Sequence, residues 1–146
     1  MDYSREDTVS VVSRPTGHPG YSETYLCEET SAHTARRLVR TALAVWHLDA
    51  YIDTGALLVS ELVANAVRHT DSRLIRVVVW RLAADRVRIG VTDKSRVMPT
   101  VKRQSGGLSV DGRGLLLIEA LTERWGTDQY GWGKHVWAEL KIEDRT

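Results

Sequence analysis

The sequence lacks the features that mark several large classes of protein. Its 146 residues include one cysteine, Cys27, so the chain cannot form an internal disulfide, which fits a reducing compartment. No apolar run approaches the roughly 20 residues of a membrane span, and the N-terminus has no hydrophobic signal-peptide core. These absences predict a cytoplasmic protein with no membrane partner.

Strong charge and metal-ligand spacing are also missing. The formal net charge is +1, and no basic block with interleaved aromatic residues occurs, so nothing favours direct binding of nucleic acid. The five histidines lack the spacing to a cysteine or carboxylate that a metal cluster needs. Apolar residues make up 42% of the chain and charged residues 27%, which suits an ordinary domain with one core.

Hydrophobic periodicity predicts the order strand, two helices, two strands, loop, helix, two strands. The helical period runs from residue 30 or 31 to about Trp46, through the segment that ends near His69, and from Leu115 to about Leu121. Alternation predicts strands at 23–27, 74–81, 87–91, 124–128 and 135–142. This order indicates a two-layer α/β sandwich with a mostly antiparallel or mixed sheet of about five strands, covered on one face by three helices.

Two stretches show no such periodicity. Residues 1–22 contain two of the three prolines and are predicted to be a flexible arm, which leaves 23–146 as a single domain with a short edge strand at 23–27. Residues 100–111 are polar and contain two adjacent glycines, so we expect a mobile loop there.

The segment Ser60-Glu61-Leu62-Val63-Ala64-Asn65-Ala66-Val67-Arg68-His69 carries an unusual polar pair. Glu61 and Asn65 stand four residues apart, on one face of an otherwise apolar helix. Burying either group without a partner costs on the order of a few kcal/mol, so the pair should line a wet pocket, hold an ion or bond each other. A plain polar pair on a partly exposed helix is the alternative interpretation.

Two further features follow along the chain. Asp93 ends a predicted strand, and Gly112-Arg113-Gly114 opens a predicted helix after the glycine-containing loop. A strand-end aspartate or a Gly-x-Gly turn is by itself most often a turn former. The order and spacing of all three features together are informative.

This combination resembles the ATP-binding superfamily, known as GHKL, that gyrase, the ninety-kilodalton heat-shock chaperones, histidine kinases and a mismatch-repair ATPase share. The segment 60–69 looks like its N box, Val91-Thr92-Asp93-Lys94-Ser95 like a divergent first glycine box, and Gly112-Arg113-Gly114-Leu115 like the second. Gly126 and the closing Gly133-Lys134-His135-Val136-Trp137 are similar to the bacterial anti-sigma-factor, serine/threonine-kinase-like branch. The resemblance covers residues 23–142 and implies a Bergerat-type fold.

The resemblance also implies a role for each matching residue. Asn65 would bind Mg²⁺ through its amide oxygen, Glu61 would be the catalytic base, and Asp93 would accept a hydrogen bond from the adenine amine. Residues 100–111 would be a lid over the nucleotide. The remaining residues expected to bind ATP are Ser95, Gly112, Arg113, Gly114, Leu115 and His135.

Two positions depart from the family pattern. Ser95 and Val97 stand where the fuller first glycine box has glycines, although serine occurs there in the kinase-like branch. His135 stands where the superfamily commonly has a threonine that supports the aspartate through water. An imidazole could donate to Asp93 but is bulkier than threonine, so we expect His135 to restrict the pocket.

Two functions from different classes remain open. The first is a regulatory protein that binds Mg²⁺ and ATP, phosphorylates a Ser or Thr of an anti-anti-sigma-type antagonist, and controls a sigma factor by partner switching. The second is a non-catalytic or degenerate nucleotide-sensing module that sequesters a protein partner. A stand-alone ATP hydrolase and a histidine kinase fit less well. Related proteins are often dimers, so a homodimer is allowed, and Trp132 is the tryptophan best placed to meet a partner.

Overall fold

Segments with alternating apolar side chains form one antiparallel sheet of six strands in the computed structural model, which describes residues 10–13, 19–94, 103–104, 107–108 and 118–143. The strands are β1 (Ser10–Ser13), β2 (Pro19–Leu26), β3 (Leu74–Ala83), β4 (Arg86–Asp93), β7 (Arg124–Gln129) and β8 (Lys134–Lys141). Their spatial order is β1-β2-β3-β4-β8-β7. Two short strands, β5 (Arg103–Gln104) and β6 (Gly107–Leu108), pair with each other inside the stretch predicted to be a loop.

The helices occur where the 3.6-residue period predicts them. They are α1 (Ser31–Val45) and α2 (Ile52–His69), which follows a 3₁₀ turn (Asp49–Tyr51), and residues 118–121 are helical as well. The predicted two-layer α/β sandwich is therefore confirmed. All pairings among the described strands are antiparallel, where the prediction also allowed a mixed sheet.

The core lies between the helices and one face of the sheet. Every second residue of each central strand points into it, as Val77, Ile89 and Val136 do, and all three are almost fully buried. The two helices approach each other closely at Gly55, where a Cβ atom would lie 2.8 Å from Leu43 Cδ1. The helix layer and the central strands thus form one continuous apolar interior.

The second helical segment is apolar enough to raise the question of a membrane. The helical segment 49–69 is 21 residues long and contains an 18-residue window with a mean hydropathy of 1.2, which meets the length and composition of a membrane span. The core helix of a globular domain meets the same criteria. Because Leu58, Leu62 and Val63 of α2 are buried in the core cluster, we interpret α2 as such a core helix.

The sheet extends into the stretch predicted to be a flexible arm. Residues 10–13 and 19–22 lie in β1 and β2, which makes β2 an inner strand where an edge strand was predicted. The alternation of apolar and polar side chains could not reveal the start of β2, because Gly20 has no side chain to contribute to that pattern. Gly20 lies under the indole of Trp80, and a Cβ atom there would collide with the ring.

The face of the sheet away from the helices carries a buried carboxylate. Glu139 is fully buried and accepts hydrogen bonds from Arg88 Nε at 2.8 Å and Arg124 Nε at 2.7 Å, with Arg86 within 3.8 Å. The Arg88 guanidinium also lies over the ring of Trp137, at 4.1 Å. Burial tends to raise the pKa of Glu139, but the hydrogen bonds and charges of Arg124 and Arg88 outweigh burial, so the pKa is lowered.

We predict that Glu139→Gln lowers the free energy of unfolding at pH 7 by about 1.5–3 kcal/mol, because it weakens hydrogen bonds between charged groups. A lowered carboxyl pKa stabilises the fold above the ordinary value of 4.5, and this stabilisation is lost as the pH falls through the lowered value. Urea unfolding between pH 7 and 3 should therefore show a shallower acid-side loss for the variant than for the wild type.

The matched control is Glu123→Gln. Glu123 pairs with Arg86 at 3.2 Å, and both side chains are about a third exposed, so this change should cost no more than about 1 kcal/mol. Equal losses in the two variants would contradict a special role for the buried carboxylate.

Candidate functional site

The N-box-like pair lies where the helix meets the sheet layer. Asn65 is 2% exposed, whereas Glu61, one turn earlier on the same face of α2, is half-buried. Asn65 Oδ1 has no hydrogen-bond partner within the described part of the chain. A bond between the two side chains would run from the Asn65 Nδ2–H to the Glu61 carboxylate, and it would leave Oδ1 available to a ligand.

A buried amide oxygen with no partner among the described residues is available to a ligand. Leaving it unpaired costs about 1–3 kcal/mol, which is a large share of the stability of a small domain. An amide oxygen is a hard ligand of the kind that Mg²⁺ takes alongside phosphate oxygens and waters. Asn65 therefore fits the magnesium-binding role that the resemblance implies for it.

A buried ion pair lies at the end of the paired strands β4 and β8. Asp93 at the end of β4 faces Lys134 at the start of β8, and Lys134 Nζ donates a hydrogen bond to Asp93 Oδ1 at 3.0 Å. The two side chains are 1% and 0% exposed. The lysine neutralises the aspartate in a setting where an isolated charge would be very costly.

The structure places Lys134 beside Asp93, where the sequence suggested His135. His135 pairs with Thr92 in the β4–β8 register and shares a hydrogen bond with the Thr92 hydroxyl at 2.8 Å, on the face away from the helices. Its ring covers Gly90, where a Cβ atom would collide with it. Since side chains alternate along a strand, Lys134 and His135 point to opposite faces, and Lys134 is the one that shares a face with Asp93.

Sequence reasoning missed Lys134, although a signal for it was present. The alternation of β8 already grouped His135 with Trp137 and Glu139, away from the apolar core, which left Lys134 on the core side. What was lacking was the register of β8 against β4, because register depends on pairing across the sheet and not on one strand.

Gly133 is required where β8 begins. A Cβ atom at this position would collide with the Asp93 carbonyl oxygen and would lie 2.8 Å from Lys94 Cα. Both neighbours are backbone atoms, which cannot move aside as the end of a side chain can. Glycine at this position lets the start of β8 approach the end of β4 closely enough for Lys134 to reach Asp93.

Cys27 lies within electrostatic reach of the same pair. Burial raises the pKa of the Cys27 thiol, the charge of Asp93 raises it further, and the charge of Lys134 lowers it. The only cysteine of the chain is thus a natural probe of the charges at this end of the sheet.

An apolar depression near the pair is a different space. A cavity of about 240 Å³ is lined by Thr24, Leu74, Ile75, Arg76, Thr92, Asp93, Lys94 and Trp132. Thr24, Arg76 and Thr92 are register partners on the face away from the helices, whereas Asn65 belongs to the helix layer. This cavity therefore lies mainly behind the sheet and is not the space that Asn65 lines.

Several predicted site residues lie outside the described residues: Ser95, Gly112, Arg113, Gly114 and Leu115. Their roles remain predictions. The same holds for the predicted lid at 100–111, apart from the short pairing of β5 with β6.

The fold is an α/β sandwich in which the helix layer contributes a buried amide at Asn65 and the strands contribute the buried pair of Asp93 and Lys134. A family model described as the histidine kinase-like ATPase domain matches residues 27–140. The chain therefore belongs to the histidine kinase-like ATPase domain family. No curated protein matches it.

We predict that Gly133→Ala lowers the free energy of unfolding by about 1–3 kcal/mol, because the added methyl group forces β8 away from the end of β4. Gly131→Ala is the matched control, since a Cβ atom at Gly131 meets nothing within 4 Å. The control should change stability by less than about 0.5 kcal/mol. Urea unfolding curves of the two variants measure the difference, and similar losses would show that the close approach at Gly133 is not a constraint.

Proposed function

We propose that the protein binds Mg²⁺ and ATP and acts as a regulatory kinase, transferring phosphate to a Ser or Thr of an anti-anti-sigma-type antagonist and so controlling a sigma factor by partner switching. The observation that carries this proposal is the buried Oδ1 of Asn65, which has no partner among the described residues and lies one helical turn from a half-buried carboxylate. Membership of the histidine kinase-like ATPase domain family supports nucleotide binding.

The residues of the site would share the binding of the nucleotide. Asn65 would take its place among the magnesium ligands, and Asp93 would accept a hydrogen bond from the base. The glycines at 112 and 114 would let backbone N–H groups approach the phosphates. Magnesium, when bound, screens the charge that develops on the phosphate oxygens.

Glu61 would be the base in the transfer step. Its carboxylate accepts the proton of the attacking Ser or Thr hydroxyl, whose oxygen forms the new bond to the γ-phosphorus as the bond to ADP breaks. The half-buried position of Glu61 suits this role, because a base must be reachable by a protein substrate.

A second candidate function is sequestration of a partner without chemistry. Two exposed rings favour it: Tyr130 and Trp132 stack at 5.1 Å with planes 7° apart, and they are 42% and 56% exposed. Trp132 also lines the apolar cavity behind the sheet. Large exposed aromatic side chains beside an apolar depression are typical of protein-binding surfaces.

We predict that Asn65→Ala weakens ATP binding in the presence of Mg²⁺ at least tenfold, about 1.4 kcal/mol, because the metal loses its protein ligand. Calorimetric titration of ATP with and without Mg²⁺ measures this, and the metal dependence seen in the wild type should disappear. Leu57→Ala is the control, because Leu57 lies on the same helix and is 40% exposed. A variant at Asn65 that keeps full Mg²⁺-dependent binding would contradict the proposed site.

We predict that Glu61→Gln slows phosphate transfer to an antagonist protein by about 10²-fold or more while ATP affinity stays unchanged, because glutamine cannot accept the proton. Transfer of radiolabelled γ-phosphate gives the rate, and calorimetry gives the affinity. If the variant transfers phosphate at the wild-type rate, Glu61 is not the base. If neither protein transfers phosphate and both still bind the partner, sequestration is the function.

A further inference from the structure

Exposed apolar side chains gather around the cavity behind the sheet, at the end where β2 pairs with β3. Leu26 and Leu74 are register partners there, and both are exposed. Leu74 lines the cavity together with Trp132, whose ring is also exposed. Large apolar side chains grouped in this way on a surface are typical of a site that a partner covers.

Two cations without a carboxylate partner line the same cavity. Arg76 and Lys94 are both exposed, and neither forms an ion pair in the part of the chain that the structure describes. Arg76 donates hydrogen bonds to the uncharged hydroxyls of Ser22 at 2.6 Å and Thr24 at 3.3 Å. Because a guanidinium has further N–H donors, Arg76 can still bind a carboxylate of a ligand.

Glu28, an acidic residue that follows β2, does not pair with these cations. It lines a separate depression with Leu26 and Thr30, and its carboxylate accepts a hydrogen bond from the Thr30 hydroxyl at 2.9 Å. The charges of Arg76 and Lys94 therefore remain available to a partner.

The turn between β7 and β8 holds the tryptophan of the cavity in one position. The Tyr130 N–H donates to the Gly133 carbonyl oxygen at 2.7 Å, and the Tyr130 ring stacks on Trp132. The close approach of Gly133 to Lys94 brings this turn against the end of β4. An aromatic wall that is already ordered loses little conformational entropy when a partner binds.

We propose that this cavity binds a segment of a partner protein that inserts one apolar side chain and sets an acidic side chain against Arg76 and Lys94. The cavity volume of about 240 Å³ is below the roughly 300–1,000 Å³ of sites for whole small molecules, so it suits a side chain. A bilayer presents a broad surface that does not enter a concave cavity. The inference rests on the second candidate function, the binding of a protein partner, and specifies the chemistry of that partner without depending on nucleotide binding.

The test begins with a phage-displayed library of random short peptides, selected on the full folded chain. The enriched peptides should combine an apolar residue with a neighbouring Asp or Glu, although the library favours no charge. Fluorescence anisotropy of a labelled enriched peptide then measures its affinity. That affinity should fall as salt is added, because salt screens charge pairs near the surface.

Variants of the full chain locate the peptide. Trp132→Ala should weaken binding at least about tenfold, and Leu74→Ala tests the same cavity if the first change disturbs the turn. Arg76→Glu should weaken binding about tenfold or more and remove most of the salt dependence. The matched control is Arg37→Glu, which makes the same change of charge at an exposed residue of α1 in the helix layer and should alter the affinity less than about twofold.

The outcomes identify the occupant. The inference is overturned if enriched peptides lack acidic residues, or if folded Trp132→Ala and Leu74→Ala proteins both bind the peptide as the wild type does. It is also overturned if no peptide is enriched; sedimentation with phosphatidylserine vesicles would then identify a bilayer as the occupant, and self-association that Trp132→Ala abolishes would identify a second copy.

A parallel titration with ATP and Mg²⁺ separates this inference from the proposed kinase. Wild-type protein that binds ATP but enriches no peptide overturns the inference alone. Wild-type protein that binds the peptide as expected but not ATP overturns the kinase proposal alone, and the cavity then supports sequestration.

Discussion

The antiparallel register between β4 and β8 is the constraint on which the rest of the structure depends. It places Val91 opposite Val136 in the core and carries the alternation outward to Asp93 opposite Lys134 at the end of the strands. On the other face the same register brings Arg88 beside Glu139. A slip by one residue would move every one of these side chains to the wrong face, so the core and the polar site are set by the same hydrogen bonds.

Both faces of this strand pair bury charge, and each burial is compensated in its own way. Glu139 is held by arginines whose ends reach solvent, Arg124 being 55% exposed, so the cluster stays partly hydrated. Asp93 and Lys134 compensate each other with almost no exposure. Pairing of this kind makes the loss of one partner costly while adding little stability of its own. These ion pairs therefore fix the positions of their side chains more than they add to the stability of the fold.

Most of the fold could be predicted from the sequence, because its helices and central strands have strong periods. The start of the sheet could not, since glycine at position 20 hides the alternation and the need for it arises from Trp80 on a neighbouring strand. The interruption of an apolar helix face by Glu61 and Asn65 is visible in the sequence, and the roles of these two residues stay predictions. The side chain beside Asp93 is Lys134, one residue from the predicted His135, because single-strand alternation gives faces but not register.

The two ends of the candidate site should contribute unequally to nucleotide affinity. At the helix end, Asn65 Oδ1 has no partner among the described residues, so a ligand there removes a penalty of about 1–3 kcal/mol as well as adding a bond. At the strand end, Asp93 and Lys134 already satisfy each other, so a base adds hydrogen bonds with a typical net gain of only about 0.5–1.5 kcal/mol each. Affinity should thus come mainly from the metal and phosphates.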